Sequence, residues 1–463
     1  MRTLSPLAPS ARPVLPARTQ KARGSVPSAL RGGEARSGVR RCPCYDGLPR
    51  PPAESRSPAL LRIYNTLTRR PEPFRPRERG VVRMYVCGVT PYDVGHLGHA
   101  LTFAVFDTVR RYLEFQAFEV RHIQNITDVD DDMVRVSSER GLSIAALTEQ
   151  NHRVHLREMD ALHVLRPGGF PRASEHIGAI VEMVEALLAR GHAYEVESHV
   201  FFSAQSAEHF GELAGRTPGE LRAAPRTDSM PEEPEHLKRD PLDFLLWQPG
   251  ADPGASFDSP WGAGRPGWHV ECSAMARAAL GEQIDIHGGG SDLVYPHHES
   301  EIAQSEGATG RRPFVGTWMH VGTMRLNGAK MSKSLGNLVK VTELTARGHD
   351  PSALRLALLS RHYRADHDFS EEELVACGER LGAWRRALEA PGGPPDALRV
   401  QPWRNAFMDA LDDDFDTPRA IAALSGIADG LLEGRLEAAT ARPTLRELAA
   451  VLGVEFDGGS TPS

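Results

Sequence analysis

Two histidines three residues apart, with a glycine between them, stand in Pro91-Tyr92-Asp93-Val94-Gly95-His96-Leu97-Gly98-His99. The segment follows a short apolar run and precedes a helical pattern, so it falls where a strand hands over to a helix. A helix start offers N–H groups and the positive end of a dipole to a phosphate. Gly98 would let a nucleotide approach the backbone, and His96 and His99 could donate hydrogen bonds to phosphate oxygens as charge builds. Taken alone, the pattern equally describes one histidine capping a helix and another on the surface. A second segment, Asn327 to Asn337, carries Lys330, Met331, Ser332, Lys333 and Ser334 between Gly328 and Gly336. Two lysines on a glycine-hinged loop can close over a triphosphate and neutralise departing pyrophosphate. Together the two segments point to ATP chemistry, with no Walker-type loop present.

A second group of residues has the chemistry of a metal shell. Cys87 ends an apolar run, Cys272 lies in Trp268-His269-Val270-Glu271-Cys272, and His297 and Glu301 are four apart after Pro296. On a helix that spacing puts both side chains on one face, and proline suits a first helical turn. Two thiolates, an imidazole and a carboxylate suit zinc. No C-x-x-C anchors the set, and a buried free cysteine with no metal is a common alternative.

His96-Leu97-Gly98-His99 and Lys330 to Ser334 resemble the two signature motifs of class I aminoacyl-tRNA synthetases. Met84-Tyr85-Val86-Cys87-Gly88, Gly267 to Met275, and His287-Gly288-Gly289-Gly290-Ser291-Asp292 leading to His297-His298-Glu299 are similar to the cysteinyl-tRNA synthetase family. The resemblance implies attack of a carboxylate on the α-phosphorus of ATP, with Mg2+, to give an aminoacyl-adenylate and pyrophosphate. It implies that His96, His99, Lys330 and Lys333 serve catalysis. Gly98, Gly288, Gly289, Gly290, Asp292 and Lys330 to Ser334 would contact ATP. Thr127, Trp268 and His287 would line the pocket for L-cysteine. Cys87, Cys272, His297 and Glu301 would hold Zn2+, which takes the substrate's sulfur as a further ligand. A thiolate binds zinc well and a serine hydroxyl poorly, so such a site rejects serine without editing.

The acceptor of the activated cysteine stays open between two families. Gly88 to Asp93 and Gly288 to Asp292 also resemble the cysteine ligase of mycothiol biosynthesis, which joins cysteine to a glucosaminyl-inositol. Glu301, Ile302 to Glu306, Gly211 to Arg216 and Glu220-Leu221-Arg222 resemble the tRNA enzyme, as do Lys238 to Phe244 and Asp412 to Pro418. The stretch after Asn337 is shorter than a full anticodon-reading domain would need. A third reading, a catalytically silent paralogue, calls for decayed motifs, and these are intact.

Stepping from these residues to their supports, Val81 to Cys87, Ala100 to Phe115 and Glu119 to Ile126 read as strand, helix and strand, a βαβ unit. Helices are expected at about 145–163 and 173–190, a strand at Ala193 to Phe202, and sheet again at Ile284 to His287 and Phe314 to Val321. The fold class is α/β: a Rossmann-type parallel sheet in two halves, 61–203 and 267–349, split by an insertion at 204–266 rich in Pro, Gly and charge. An α-helical domain, 350–463, follows, with helices near 351–361, 370–390, 402–412 and 417–453. Hydrophobic residues are 40% and charged residues 25% of the chain, which suits a soluble enzyme. No apolar run reaches membrane-spanning length. Five scattered cysteines make no disulfide framework, so a reducing, cytoplasmic setting is expected, and separately the chain is expected to be a monomer.

Residues 1–60 hold eleven Lys or Arg against three acids, while the whole chain has a net charge of -7. The acidic remainder gives no compositional support for nucleic-acid binding, which would rest on a local basic patch. The first sixty residues read as a disordered extension, a product of an upstream start codon or an organellar transit peptide. Their ten prolines argue against a continuous amphipathic helix.

Overall fold

The computed structural model describes residues 61–224, 233–252, 254–332, 335–395 and 397–456. The readings of residues 1–60, Lys333 and Ser334 lie outside the described residues. A hairpin of β1 (Arg62–Asn65) and β2 (Arg70–Pro73) leads into β3 (Val81–Val89), which is buried along nearly its whole length. Such continuous apolar character belongs to a strand covered on both faces. Helix α1 (Leu97–Phe115) returns the chain to β4 (Glu119–Ile126), parallel to β3. Three helices follow: α2 (Asp131–Arg140), α3 (Ile144–Ala161) and α4 (Ile177–Ala189).

An antiparallel sheet then interrupts the fold. It comprises β5 (Ala193–Val196), β6 (His199–Phe202), β7 (Phe244–Pro249) and β8 (Gly264–Pro266), with a short helix, α5 (Pro218–Ala223), between β6 and β7. The strand expected at Ala193 to Phe202 is thus a hairpin of this sheet, and the interposed unit begins near residue 193 rather than 204. The reason lies in β5, where buried Tyr194 alternates with exposed Glu195, a pattern that suits a sheet with one wet face.

The chain returns through α6 (Trp268–Leu280), β9 (Ile284–Gly290), α7 (Glu299–Thr309) and β10 (Val315–Val321). These complete a parallel sheet of order β10-β9-β3-β4. The chain leaves β3 toward one edge and comes back through β9 toward the other, so the crevice beyond the carboxyl ends of β3 and β9 is a topological switch point. On one face Val82, Met84, Val86 and Met319 pack with α1, and on the other Tyr85, Cys87 and Trp318 pack with Cys272 and Ala276 of α6.

A small sheet follows, made of the hairpin β11 (Met324–Leu326) and β12 (Ala329–Lys330) with β13 (His367–Phe369) on its edge. Between them run α8 (Val341–Ala346) and α9 (Pro351–Leu358). The remaining helices are α10 (Glu371–Glu389), α11 (Gln401–Asp412), α12 (Thr417–Leu432) and α13 (Ala438–Val451). The single helix expected over 417–453 is two, because Gly434 turns into the left-handed region at φ 68° and ends the first. An ion network joins the domains: Asp107 of α1 accepts from Arg111 at 2.8 Å and pairs with fully buried Arg355 of α9. Arg355 also donates to the carbonyls of Leu162 and Leu452.

Candidate active site

Strand register assembles the floor of the site. Tyr85, His287 and Trp318 are neighbours across β3, β9 and β10, and their side chains share one face. Their rings touch, with centroids 5.1 Å apart for Tyr85 and His287 and 4.5 Å for His287 and Trp318. Cys87, two residues beyond Tyr85, points to the same side, where α6 delivers Cys272. The α-helix expected to begin near Pro296 starts instead at Glu299, after an irregular turn, Val294–His298, in which Tyr295 is extended. His297 and His298 leave that turn in line with the helix and still reach Glu301.

Cys87, Cys272, His297 and Glu301 are all buried, and their ligand atoms lie within 4.8 Å of one another. Cys87 Sγ is 3.8 Å from Cys272 Sγ and 3.6 Å from Glu301 Oε1, and His297 Nε2 is 3.2 Å from the same oxygen. A sulfur separation of 3.8 Å is far longer than a disulfide bond and matches the edge of a tetrahedron about a zinc ion bonded to sulfur at about 2.3 Å, which is about 3.8 Å. A second set, Cys87, His287, His298 and Glu301, overlaps the first and also meets the 4.8 Å limit. Within it His287 Nε2 bonds Glu301 Oε2 at 3.0 Å and His298 Nε2 lies 3.3 Å from Cys87 Sγ, while His298 Nδ1 bonds His320 Nε2 at 2.7 Å.

Electrostatics favours a cation here. Burial pushes the Cys87 thiol and the Glu301 carboxyl well above their ordinary values and holds His297 well below its own. Without a positive charge the thiol and carboxyl keep their protons, and His297 is neutral, as a ligand must be. His269 Nδ1 lies 2.9 Å from His297 Nδ1. Burial lowers His269 to about 3, so one neutral ring donates to the other. With the proton on His297 Nδ1, its Nε2 lone pair faces Glu301 and the cysteines. Trp268 stacks on His297 with centroids 4.4 Å apart, and Thr127 at the end of β4 is buried and accepts from Asn125 Nδ2 at 3.0 Å.

At the start of α1, His96 is the N-cap: its Nδ1 accepts from Gly98 N at 3.0 Å, while His99 Nδ1 accepts from His96 N at 3.3 Å. Each Nδ1 is an acceptor, so each ring proton sits on Nε2, the nitrogen able to donate to a phosphate. Capping engages Nδ1 of His96, so the cap and a donor role at Nε2, posed as alternatives by the sequence, are compatible in one ring. Gly98 also makes room for the capping ring, since a Cβ there would meet His96 Cε1 at 2.7 Å. Gly288 likewise faces inward, where a Cβ would come within 1.9 Å of Phe106 Cζ. Its smallness lets α1 lie against β9. Gly289 is crowded by Leu293 and His298, and Gly290 by Asp292.

Lys330 Nζ bonds Asp292 Oδ2 at 2.9 Å, joining the two stretches expected to touch ATP. Asn337 ties the loop together, accepting from Ser332 N at 2.9 Å and donating to Lys330 O at 3.1 Å, and Met331 is buried beneath it. The sequence reading missed His269, His298, His320, Tyr85 and Trp318. Only the adjacency of His298 to His297 and of His269 to Trp268 signalled any of them. Glu299, also missed, accepts from Gly211 N at 2.8 Å and Ala214 N at 2.9 Å, fastening the insertion to α7.

Comparison with known proteins agrees with this geometry. The family described as tRNA synthetases class I (C) catalytic domain matches residues 73–378, and the DALR domain matches residues 406–457. The chain is 45% identical over 401 residues to the cysteine--tRNA ligase of Chromohalobacter salexigens, covering 85% of both chains. It is 46% identical over 401 residues to that of Thioalkalivibrio sulfidiphilus, again with 85% of each covered. The solved methionyl-tRNA synthetase of Mycobacterium tuberculosis, in complex with methionyl-adenylate, shares the fold with a TM-score of 0.59 at 17% identity, covering 80% of this chain and 88% of that one.

Proposed function

The chain belongs to the class I tRNA synthetases of the cysteine type, and from this we propose that it is an ATP-dependent cysteine--tRNA ligase. The observation that carries the reading is the buried group of Cys87, Cys272, His297 and Glu301, at zinc-like separations, in a chain 45% identical to a curated cysteine--tRNA ligase. The relatives named cysteine--tRNA ligase and the DALR match at 406–457 favour tRNA over the glucosaminyl-inositol acceptor. The intact motifs disfavour a silent paralogue.

In this reading Cys87, Cys272, His297 and Glu301 hold zinc, and the zinc supplies a soft Lewis acid for the substrate's thiolate. Trp268 and Thr127 shape the pocket beside it. His96 and His99, each with Nε2–H as donor, and the N–H groups at the start of α1 receive ATP's phosphates as the cysteine carboxylate attacks the α-phosphorus. Lys330 leaves Asp292 to meet the departing pyrophosphate, and Lys333 shares that charge. Asp292 is then available to the nucleotide. The protein's work is positioning and charge stabilisation, with no covalent enzyme intermediate.

Purified protein given ATP and labelled cysteine with either tRNA or a glucosaminyl-inositol should label tRNA alone. Label on the glucosaminyl-inositol alone would move the chain to the sister reaction, and loss of cysteine-dependent exchange between pyrophosphate and ATP would revive the silent paralogue.

A further inference from the structure

Helix α3 turns a polar face inward, and nothing in the proposed chemistry uses it. Asn151, His155 and Glu158 lie one and two turns apart on it and are 3%, 4% and 2% exposed. Asn151 Nδ2 donates to Pro91 O at 2.7 Å, pinning the chain as it leaves β3 for the first signature turn. His155 packs edge-on against Phe103 of α1 with centroids 5.2 Å apart. Glu158 lies between the residue that precedes the histidine motif and the helix that follows the lysine loop. A Cβ added to Gly95 would sit 3.5 Å from its Oε2, so that oxygen lies beside the turn carrying His96. Its Oε1 accepts from Thr342 Oγ1 at 3.2 Å and Thr342 N at 3.4 Å, in the first turn of α8, directly after the lysine loop. Between these contacts Leu97 N donates to Val339 O at 2.9 Å.

We infer that Glu158 is a positioning residue that sets the histidine turn and the base of the lysine loop at one fixed separation, so that both meet the same triphosphate. A buried carboxyl with two long hydrogen bonds from neutral donors is costly to keep. An apolar residue would fill the space more cheaply if packing were its whole purpose. The carboxyl instead lies beside Gly95, just before the histidine motif, and bonds Thr342, in the helix just after the lysine loop, and tolerances near a reacting phosphate are small. The inference rests on the ATP-dependent reading above, and its effect belongs to adenylate formation rather than to cysteine binding, because Glu158 contacts neither Thr127, Trp268 nor the metal candidates.

The test measures cysteine-dependent pyrophosphate exchange, with kcat and both KM values, in wild type, Glu158→Gln, Glu158→Ala, Thr342→Val and the Glu158→Ala/Thr342→Val pair. Glu158→Ala should lower kcat at least tenfold with the KM for cysteine within twofold, and Glu158→Gln, which keeps an acceptor oxygen and the volume, should stay within about threefold of wild type. The double variant should be no slower than Glu158→Ala, as expected of partners in one contact. Multiplicative losses in the pair, or a KM for cysteine that climbs along with the fall in kcat, would overturn the inference. Should Glu158→Ala not fold, Thr342→Val decides: a kcat reduced severalfold at an unchanged melting temperature supports it, and wild-type kcat overturns it. Wild-type protein without exchange would instead refute the function on which the inference rests.

Discussion

At the scale of single residues, the site depends on where protons sit. His269 Nδ1 lies 2.9 Å from His297 Nδ1, and by accepting a hydrogen bond from that nitrogen it would leave the other nitrogen of His297 to a metal. Loss of such a partner typically weakens metal binding 10–100-fold. His269→Ala should therefore show that drop in zinc competition with a chelator while the melting curve of the zinc-loaded protein keeps a single transition. Unchanged affinity would count against the assigned tautomer. Burial raises Cys87 and Glu301, and both must shed protons to become ligands. Zinc affinity should therefore rise with pH and fall as pH drops, by roughly tenfold per pH unit for each proton displaced. His297, lowered by burial, has no proton to release on Nε2 and adds nothing to this slope. Affinity flat with pH would mean the thiols are not the ligands.

At the scale of elements, helix α1 must lie at a set height on the sheet for its first turn to face the crevice. Gly288→Ala should push Phe106, and α1 with it, off β9, at about 1–3 kcal/mol by urea unfolding, the usual cost of overpacking. Unaltered stability would show that the contact yields. Much of this level was legible in the sequence. The apolar runs of β3 and β4 and the helical spacing of α1 foretold the βαβ unit, since period and continuity follow from burial alone. Less legible were features set by tertiary partners. Ala193 to Phe202 reads as a strand in either sheet, and only pairing with β7 decides which. The turn at Val294–His298 has no local sign beyond Pro296. The apolar spacing continues across Gly434, hiding the break between α12 and α13.

The same limits apply at the site. The motifs named ligand types and spacing, and His297 with Glu301 could be paired by counting along a helix. The glycines read as room for a nucleotide, and Gly98 and Gly288 also make room for His96 and Phe106. A missing side chain shows that something comes close, and three-dimensional contacts are needed to say what.

At the scale of the whole molecule, the catalytic sheet and the helical domain are welded through charge. Asp107 sits among Arg111, Arg355 and Leu165 N, and although burial alone would raise its carboxyl, these guanidiniums draw it down to about 2 from 3.8. A depressed carboxyl contributes stability above its unfolded value of 3.8 that disappears as pH falls through about 2. Asp107→Ala, which strands two buried guanidiniums, should cost about 3–5 kcal/mol by urea unfolding near neutral pH. A loss under 1 kcal/mol would show that the domains are held together by apolar packing alone. No helix among the described residues is long and apolar enough to cross a membrane.

In the proposed function a protein-held zinc ion selects cysteine beside an ATP site. Metal analysis of purified protein, coupled to cysteine-dependent pyrophosphate exchange before and after chelation, tests it most directly. The expected result is one zinc per chain, exchange that is lost on chelation and restored by zinc, and neither zinc nor exchange in Cys272→Ala. Full exchange in zinc-free protein would contradict it.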